Sequence, residues 1–494
     1  MTKTAVVIGA GMGGLATALR LRKQGFEVEL VEKGPRAGGR SNLIQDSGFR
    51  VDTGPTILVM KGAIEETYRA LGTDLGQRVP MVRLDPNYRL YFHDGRTLAL
   101  SGEMAEMTQE LEQFEAGAGS AFFEFLGDGA RKYDLGMEFV ERNYDRFTDL
   151  INPKAGWRML KTRALQNLYS QVSGYFDSPS LRRAFTFHSM FLGLSPYRAP
   201  AMYSLITYAD LAHGVWFPLG GMYRIVEDMV ALAGEFGVRI HYEEPVEQIL
   251  VQEGRAVGVR TAAGREIKAD IVVSNADLPY TVGQLLEPRY RTEFSKLTNG
   301  RTTYSCSGFL LYLGLDRTYP NLDHQNLYFA QDYRGNLDDI FDHGRLPEEP
   351  SFHLSVPTVT DPSLAPPDHS LLYVLAPMPN LQADIDWEQA APMVREQLMD
   401  QLERIVGPDL RAHIVWERQF APPDFAAQYN AVHGTAFGSL SHEFFQSSFF
   451  RPHNKSRSVE GLYFVGQGTY PGIGVPMVHI SARLVVERIV QEWS

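Results

Sequence analysis

Three glycines near the start of the chain carry the most specific chemical signal. Gly9, Gly11 and Gly14 stand in the spacing G-x-G-x-x-G, with Gly13 as an additional small residue. They follow Thr4–Ile8, a β-branched run of strand length, and open a segment in which Leu15, Ala18, Leu19 and Leu21 recur with helical periodicity. In such a strand–turn–helix unit the first glycine permits a tight turn and the second lets a pyrophosphate approach the backbone. The third lets the helix pack close to the strand. The helix N-terminus then offers N–H groups and partial positive charge to the phosphates. Arg20, Arg22 and Lys23 complement the other end of the helix dipole, and Gly25 suits its stop. A second strand, Glu27–Val31, leads to Glu32, 18 residues after Gly14, where a carboxylate can accept hydrogen bonds from a ribose 2′-hydroxyl. The chemistry is dinucleotide binding.

A second glycine element follows. Gly38-Gly39-Arg40 comes straight after the Glu-ended strand, and Gly54-Pro55 follows Asp52 and Thr53. This pattern resembles the flavoprotein signature of the amine-oxidase-like superfamily, in which the loop runs under an FAD and the arginine faces its phosphate or ring. A nicotinamide-binding domain has no use for it. At the far end of the chain, a strand-like run from Gly461 ends at Gly466. A bend-rich loop with Gly472 and Gly474 follows, and then Val475, Pro476 and Met477 lead into an apolar-striped helix. Pro476 suits a first helical turn. If FAD binds, this second helix N-terminus is placed to stabilise negative charge on the N1–C2=O edge of a reduced flavin.

Together with Phe185–Ser189, Trp216–Gly221, Ser274–Asp277, Tyr373–Pro379 and Phe449–Asn454, these pieces look like the bacterial-type carotenoid desaturase family, and the likeness covers nearly the whole chain. The resemblance implies FAD as cofactor, a backbone contact from Val246 to the adenine side, and a long apolar polyene such as phytoene as substrate. It further implies desaturation toward zeta-carotene, neurosporene or lycopene, with a quinone or oxygen as electron acceptor. A hydride leaves a CH₂–CH₂ unit for flavin N5 and a proton leaves the neighbouring carbon. Tyr470 stands where many members carry His, and Gln467 where small residues are common. Tyr470 is a candidate to reach the flavin. Arg146 and Asp149 are candidates for the proton, from their place beside a supposed entrance. A flavin-dependent carotenoid isomerase, a retinol-saturase-like or amine-oxidase-like enzyme, and a non-catalytic carotenoid binder are the alternative readings. No metal-ligand or nucleophilic triad pattern competes, and His442-Glu443 lacks the second His of a zinc motif.

At roughly 150 residues per domain, 494 residues make two or three domains. A cofactor held by both chain ends makes its domain discontinuous. The expected fold is therefore α/β, α+β overall: a Rossmann-type FAD domain from residues 1–90, 216–290 and 456–494, a substrate domain over 291–455, and a helical, membrane-facing region over 91–215. Helices are expected over 103–116, 121–143, 156–175, 180–192 and 201–213, and a strand over 267–275. The stretch from Phe185 to Phe217 is rich in Phe, Met, Tyr and Leu, which suits the wall of a long apolar site.

A net charge of −12 argues against a nucleic-acid partner, which calls for a basic face. The single cysteine, Cys306, excludes an intrachain disulfide, reads as a core residue and fits a reducing cytoplasm. Residues 461–482 lack formal charge, but five Gly and two Pro disqualify them as a spanning helix. Arg142, Arg158, Lys161 and Arg163 lie among Phe147, Trp157 and Leu160, a pattern suited to an anionic lipid surface. The expectation is a peripheral, cytoplasmic membrane protein; a homo-oligomer is compatible with it.

Overall fold

The computed structural model describes residues 2–144, 157, 163, 166–298, 302–447 and 450–493. Five short strands form one parallel sheet in the order Leu462–Phe464, Ile271–Ser274, Thr4–Ile8, Glu27–Val31 and Arg239–His241. The register sets Val7 beside Val273, and Val273 beside Tyr463. Three remote parts of the sequence thus meet in consecutive strands, as a discontinuous Rossmann-type domain requires. The inner strands are near-continuous buried apolar runs because helices cover the sheet. Helix Met12–Lys23 packs beside the C-terminal helix Val475–Trp493 in the same core. The chain leaves this sheet through an antiparallel meander, Val246–Gln252, Arg255–Thr261 and Glu266–Lys268. The strand expected over 267–275 is two strands in two sheets. The chain changes sheet at Asp270, whose carboxylate accepts from Thr4 N at 2.9 Å and Thr4 Oγ1 at 3.0 Å.

A seven-stranded sheet builds the second half, in the order Ile414–Phe420, Ser307–Leu315, Ser370–Met378, Phe352–Ser355, Gln325–Phe329, Tyr88–Phe92 and Thr97–Leu100. All pairings are antiparallel except Gln325–Phe329 with Tyr88–Phe92. The expected boundary between residues 90 and 91 falls inside the strand Tyr88–Phe92. That strand belongs to the large sheet, so a division there would sever its hydrogen bonds. Along Ser307–Leu315, Phe309, Leu311 and Leu313 pack under helix Trp387–Val406. Leu310 and Tyr312 face the other way, following the strand period of two. Cys306 is buried beside this strand.

The helical region is more broken than the sequence pattern implies. Helix Met104–Glu112 is shorter than expected, and Ala118–Val140 begins and ends three residues early. Of the helix expected over 156–175, the described part is Leu168–Val172. The run over 180–192 divides into a helix, Pro179–Ala184, and a 3₁₀ turn, Phe187–Leu192. The break falls at Phe185 and Thr186, inside a run buried from Ala184 to Ser189, so this stretch is core with no solvent face. The region around 201–213 is a 3₁₀ turn leading into helix Ser204–His213. Among the described residues, no helix is long and apolar enough to cross a membrane.

Helices Ala118–Val140 and Ser204–His213 approach closely because glycines face the seam. A Cβ on Gly129 would stand 2.7 Å from Tyr208 Cβ, and one on Gly136 would stand 2.9 Å from Leu205 Cδ2. Gly129→Val is therefore expected to force the helices apart and destabilise the protein by about 1–3 kcal/mol. A denaturation midpoint equal to that of the parent would refute this reading of the seam.

Candidate functional site

The first strand ends at the middle of the parallel sheet, and the chain turns sharply at Gly9, with φ +92°. Gly9 N donates to Val31 O at 2.7 Å and Gly38 N donates to Ala10 O at 2.8 Å. The second glycine element is thereby laid directly against the first. A Cβ on Gly39 would come within 3.2 Å of Gly11 Cα. One on Gly14 would run into the Gly9 carbonyl, and one on Gly54 into the Arg40 carbonyl. Gly14 therefore serves helix–strand packing and stays off the cavity wall, whereas Gly9, Gly11, Gly39, Gly54 and Pro55 line the cavity. Glu32 lines it as well. Its two carboxylate oxygens accept from Ala10 N at 2.7 Å and Gly34 N at 2.8 Å, which ties the turn to the strand end. Val246, at the start of the meander, lies on the same wall.

The distal loop closes the cradle. Gly466, Gly474, Val475, Pro476 and Met477 all line the cavity, and the C-terminal helix begins at Val475. Gly474 has φ +105° with open space around its missing Cβ, so its backbone conformation is what calls for glycine. Sequence reasoning assigned no role to Asn275, which stands between the two loops. Its Nδ2 donates to Val465 O at 3.0 Å, and a Cβ on Gly11 would lie 2.8 Å from its Oδ1. Gly13 and Gly466 are equally tight against its amide.

Arg40 is held at the junction. Its Nη1 donates to Thr435 O and Ala436 O, both at 2.7 Å. With its amide oxygen turned to the guanidinium, Gln467 accepts from Arg40 Nε at 2.8 Å. Burial lowers the Arg40 pKa, and the charge of Asp277 opposes that shift. Burial likewise raises Asp277, against Arg40 and the hydrogen bonds from Ser439 and Val432 N. A second carboxylate, Asp52, accepts from Met222 N at 2.7 Å and Tyr223 N at 2.8 Å at the start of helix Tyr223–Glu235. Burial raises its pKa to about 6. A Cβ on Gly221 would press on this carboxylate at 2.7 Å, so two stretches of the family pattern meet here.

These walls belong to one continuous cavity of about 770 Å³. Its polar-backbone end is the glycine cradle. Its other end is apolar, lined by Phe187, Met190, Phe191, Met202, Leu205 and Ile206 together with Phe329 and Leu375 of the large sheet. Phe185 and Phe217 are core residues off the wall, and Tyr208 packs against Gly129. Phe444 and Phe450 line the cavity while staying 39% and 44% exposed, and so mark where it meets the surface.

The catalytic candidates fare differently from the cradle. Tyr470 does not line the cavity. Its hydroxyl donates to Phe139 O, and its ring packs with Ile480, Leu484 and Tyr144. The expectation that it reaches the flavin is corrected: helix Ala118–Val140 draws the side chain outward and leaves Pro471 and Gly472 on the wall. Arg146 and Asp149 lie outside the described residues, as does most of the basic segment over 145–165. Of that segment's flanks, Arg142 and Trp157 are exposed.

The glycine cradle is where side chains would have filled the volume an FAD requires, and the residues present fit that group. The comparisons agree. The description "flavin containing amine oxidoreductase" matches residues 12–490. The zeta-carotene-forming phytoene desaturase of Myxococcus xanthus is 44% identical over 491 residues, 99% of this chain and 94% of that protein. The lycopene-forming phytoene desaturase of Pseudescherichia vulneris is 36% identical over 99% of both chains. Among solved structures, an oxidoreductase from Methanosarcina mazei superposes with a TM-score of 0.66 at 20% identity, covering 98% of this chain and 100% of its own. Putrescine oxidase gives 0.64 at 14% identity over 99% of both chains. The chain is an FAD-dependent oxidoreductase that belongs to the flavin-containing amine oxidoreductase family and, within it, to the carotenoid desaturases.

Proposed function

We propose that the protein desaturates an acyclic carotenoid, phytoene or a partly desaturated product of it. The observation that carries this reading is the single cavity whose polar-backbone cradle opens into an aromatic and methionine-lined chamber. An uncharged polyene offers no group for polar anchors, so its site must hold it by shape and dispersion alone. When bound, FAD supplies a two-electron hydride acceptor that a quinone or oxygen afterwards reoxidises. The chain's own part is to hold, orient and keep dry. The glycines of both loops let backbone N–H groups approach the cofactor, and Arg40, fixed by two carbonyls and Gln467, adds charge beside it. Met190, Phe191, Met202 and Leu205 exclude water from the carbon that loses hydride. Holding that carbon at roughly 3–3.5 Å from the acceptor provides much of the rate. The loop from Gly466 to Gly474 lies against the ring in this reading, with the C-terminal helix start directed at its N1–C2=O edge. The mouth at Phe444 and Phe450 would open onto a lipid surface, where such a substrate dissolves.

The deciding experiment incubates the FAD-loaded protein with phytoene in anionic liposomes and follows absorption. A stepwise red shift that needs an added quinone or oxygen, with protein co-sedimenting at low salt, is the expected result. Conversion of isomers without any acceptor would instead favour an isomerase, and unchanged absorption with phytoene and with its partly desaturated products would refute the desaturase.

Gly11→Val should abolish FAD retention, because the new side chain occupies the pyrophosphate approach beside Asn275. Full flavin content in that variant would overturn the cradle assignment.

Tyr470→Phe removes one hydrogen bond between the distal loop and helix Ala118–Val140. It should cost about 1 kcal/mol of stability and leave turnover near that of the parent. A hundredfold fall in turnover at unchanged FAD content would restore Tyr470 to the chemistry.

A further inference from the structure

Arg451 is a cation at 1% exposure, and it has no carboxylate partner among the described residues. Its guanidinium donates only to backbone carbonyls: Gln446 O at 3.2 Å, Leu440 O at 3.3 Å and Gln467 O at 2.8 Å. Its Nε has no partner among the described residues. By contrast, buried Arg20 pairs with Glu66, and Arg40 has the charge of Asp277 nearby. Burial brings Arg451 down to about 10, still protonated at neutral pH. A buried charge without an opposite charge is costly, and here three carbonyl dipoles offset that cost in place of a carboxylate.

Its position indicates what the charge acts on. Gln467 and Gly468 line the cavity, and Arg451 grips their shared peptide from behind. In a trans peptide the carbonyl and the N–H point in opposite directions. Fixing the Gln467 carbonyl on Arg451 therefore holds the Gly468 N–H directed away from the cation. The same side chain flanks the other end of the loop, where its Cδ would lie 3.8 Å from a Cβ on Gly472. Neutral His442 fills the space between, with burial and the Arg451 charge both holding its pKa well below the usual range. Gln467 is thus clamped twice: its backbone oxygen by Arg451, and its side-chain oxygen by Arg40.

We propose that Arg451 is a positioning residue that stabilises the negative charge the flavin gains on reduction, acting through the Gln467–Gly468 peptide. The inference rests on the reading above that the loop from Gly466 to Gly474 meets the ring edge. It gives the loop a fixed charge in addition to the helix N-terminus.

The test is the flavin midpoint potential of the FAD-loaded protein, measured by dye-coupled reduction without substrate. Arg451→Gln keeps a donor for the Gln467 carbonyl and removes the charge. It should weaken binding of reduced relative to oxidised flavin about tenfold, a fall of about 30 mV for a two-electron couple. Arg451→Lys should recover most of that shift. An unchanged potential in Arg451→Gln, or an equal fall in Arg451→Gln and Arg451→Lys, would overturn the proposal. If Arg451→Gln does not retain FAD, His442→Glu sets a carboxylate against the guanidinium and should lower the potential more in the parent background than beside Arg451→Lys; no change would be equally fatal. Gly474→Val separates the two readings. A shift there with none in Arg451→Gln removes Arg451 alone, and no shift in either removes the ring-facing loop.

Discussion

The site depends on one steric constraint: at its glycines the backbone comes closer to neighbouring groups than any side chain would allow. Gly11 in the first turn and Gly466 in the distal loop both press on the Asn275 amide, Gly39 lies against Gly11, and Gly54 lies against the Arg40 carbonyl. The Asn275 amide supplies hydrogen bonding where two glycine loops would otherwise leave a gap. The parallel sheet makes the arrangement rigid, because the strands that carry these turns are registered to one another by continuous hydrogen bonds.

From this cradle the rest of the molecule follows as a division of labour. At the cofactor end most of the wall is backbone, joined by the side chains of Glu32, Arg40 and Asn275, and the other end is lined mainly by apolar side chains. The large sheet contributes one face to its own core under helix Trp387–Val406 and part of the other to the cavity wall. The glycine seam between helices Ala118–Val140 and Ser204–His213 brings two further apolar walls close enough to exclude water. Arg40 and Arg451 set positive charge on either side of Gln467, where the two ends meet.

Much of this was legible in the residues because backbone requirements leave local traces. A tight turn, a left-handed loop or a helix packed on a strand each calls for glycine at a set spacing, so Gly9 to Gly14, Gly38-Gly39 and Gly466 to Gly474 could be read directly. Glu32 was legible for the same reason, at the end of its strand. Contacts between distant side chains leave no such trace. Asn275 and Arg451 stand in recognised stretches, Ser274–Asp277 and Phe449–Asn454, yet their partners lie in other segments and their roles emerge only on folding. Tyr470 was misread because its direction is set by a helix more than 300 residues earlier in the chain, where Phe139 presents a carbonyl. The helix expected over 180–192 is interrupted at Phe185 and Thr186, inside a run buried from Ala184 to Ser189 whose apolar content does not announce the break.

The strand order of the parallel sheet bears on biogenesis. Leu462–Phe464 is the last strand to be synthesised, and it pairs with Ile271–Ser274, which in turn pairs with the first strand made. At roughly 5–20 residues per second, the opening βαβ unit waits on the order of tens of seconds for its closing partner. Once made, Ile271–Ser274 presents an unsatisfied apolar edge until Leu462–Phe464 pairs with it, the kind of surface that invites strand exchange with another nascent chain. The distal loop follows Leu462–Phe464, so the cradle is complete only once that strand has paired. FAD, by binding the completed cradle and not the unfolded chain, then draws the chain toward its folded form by mass action.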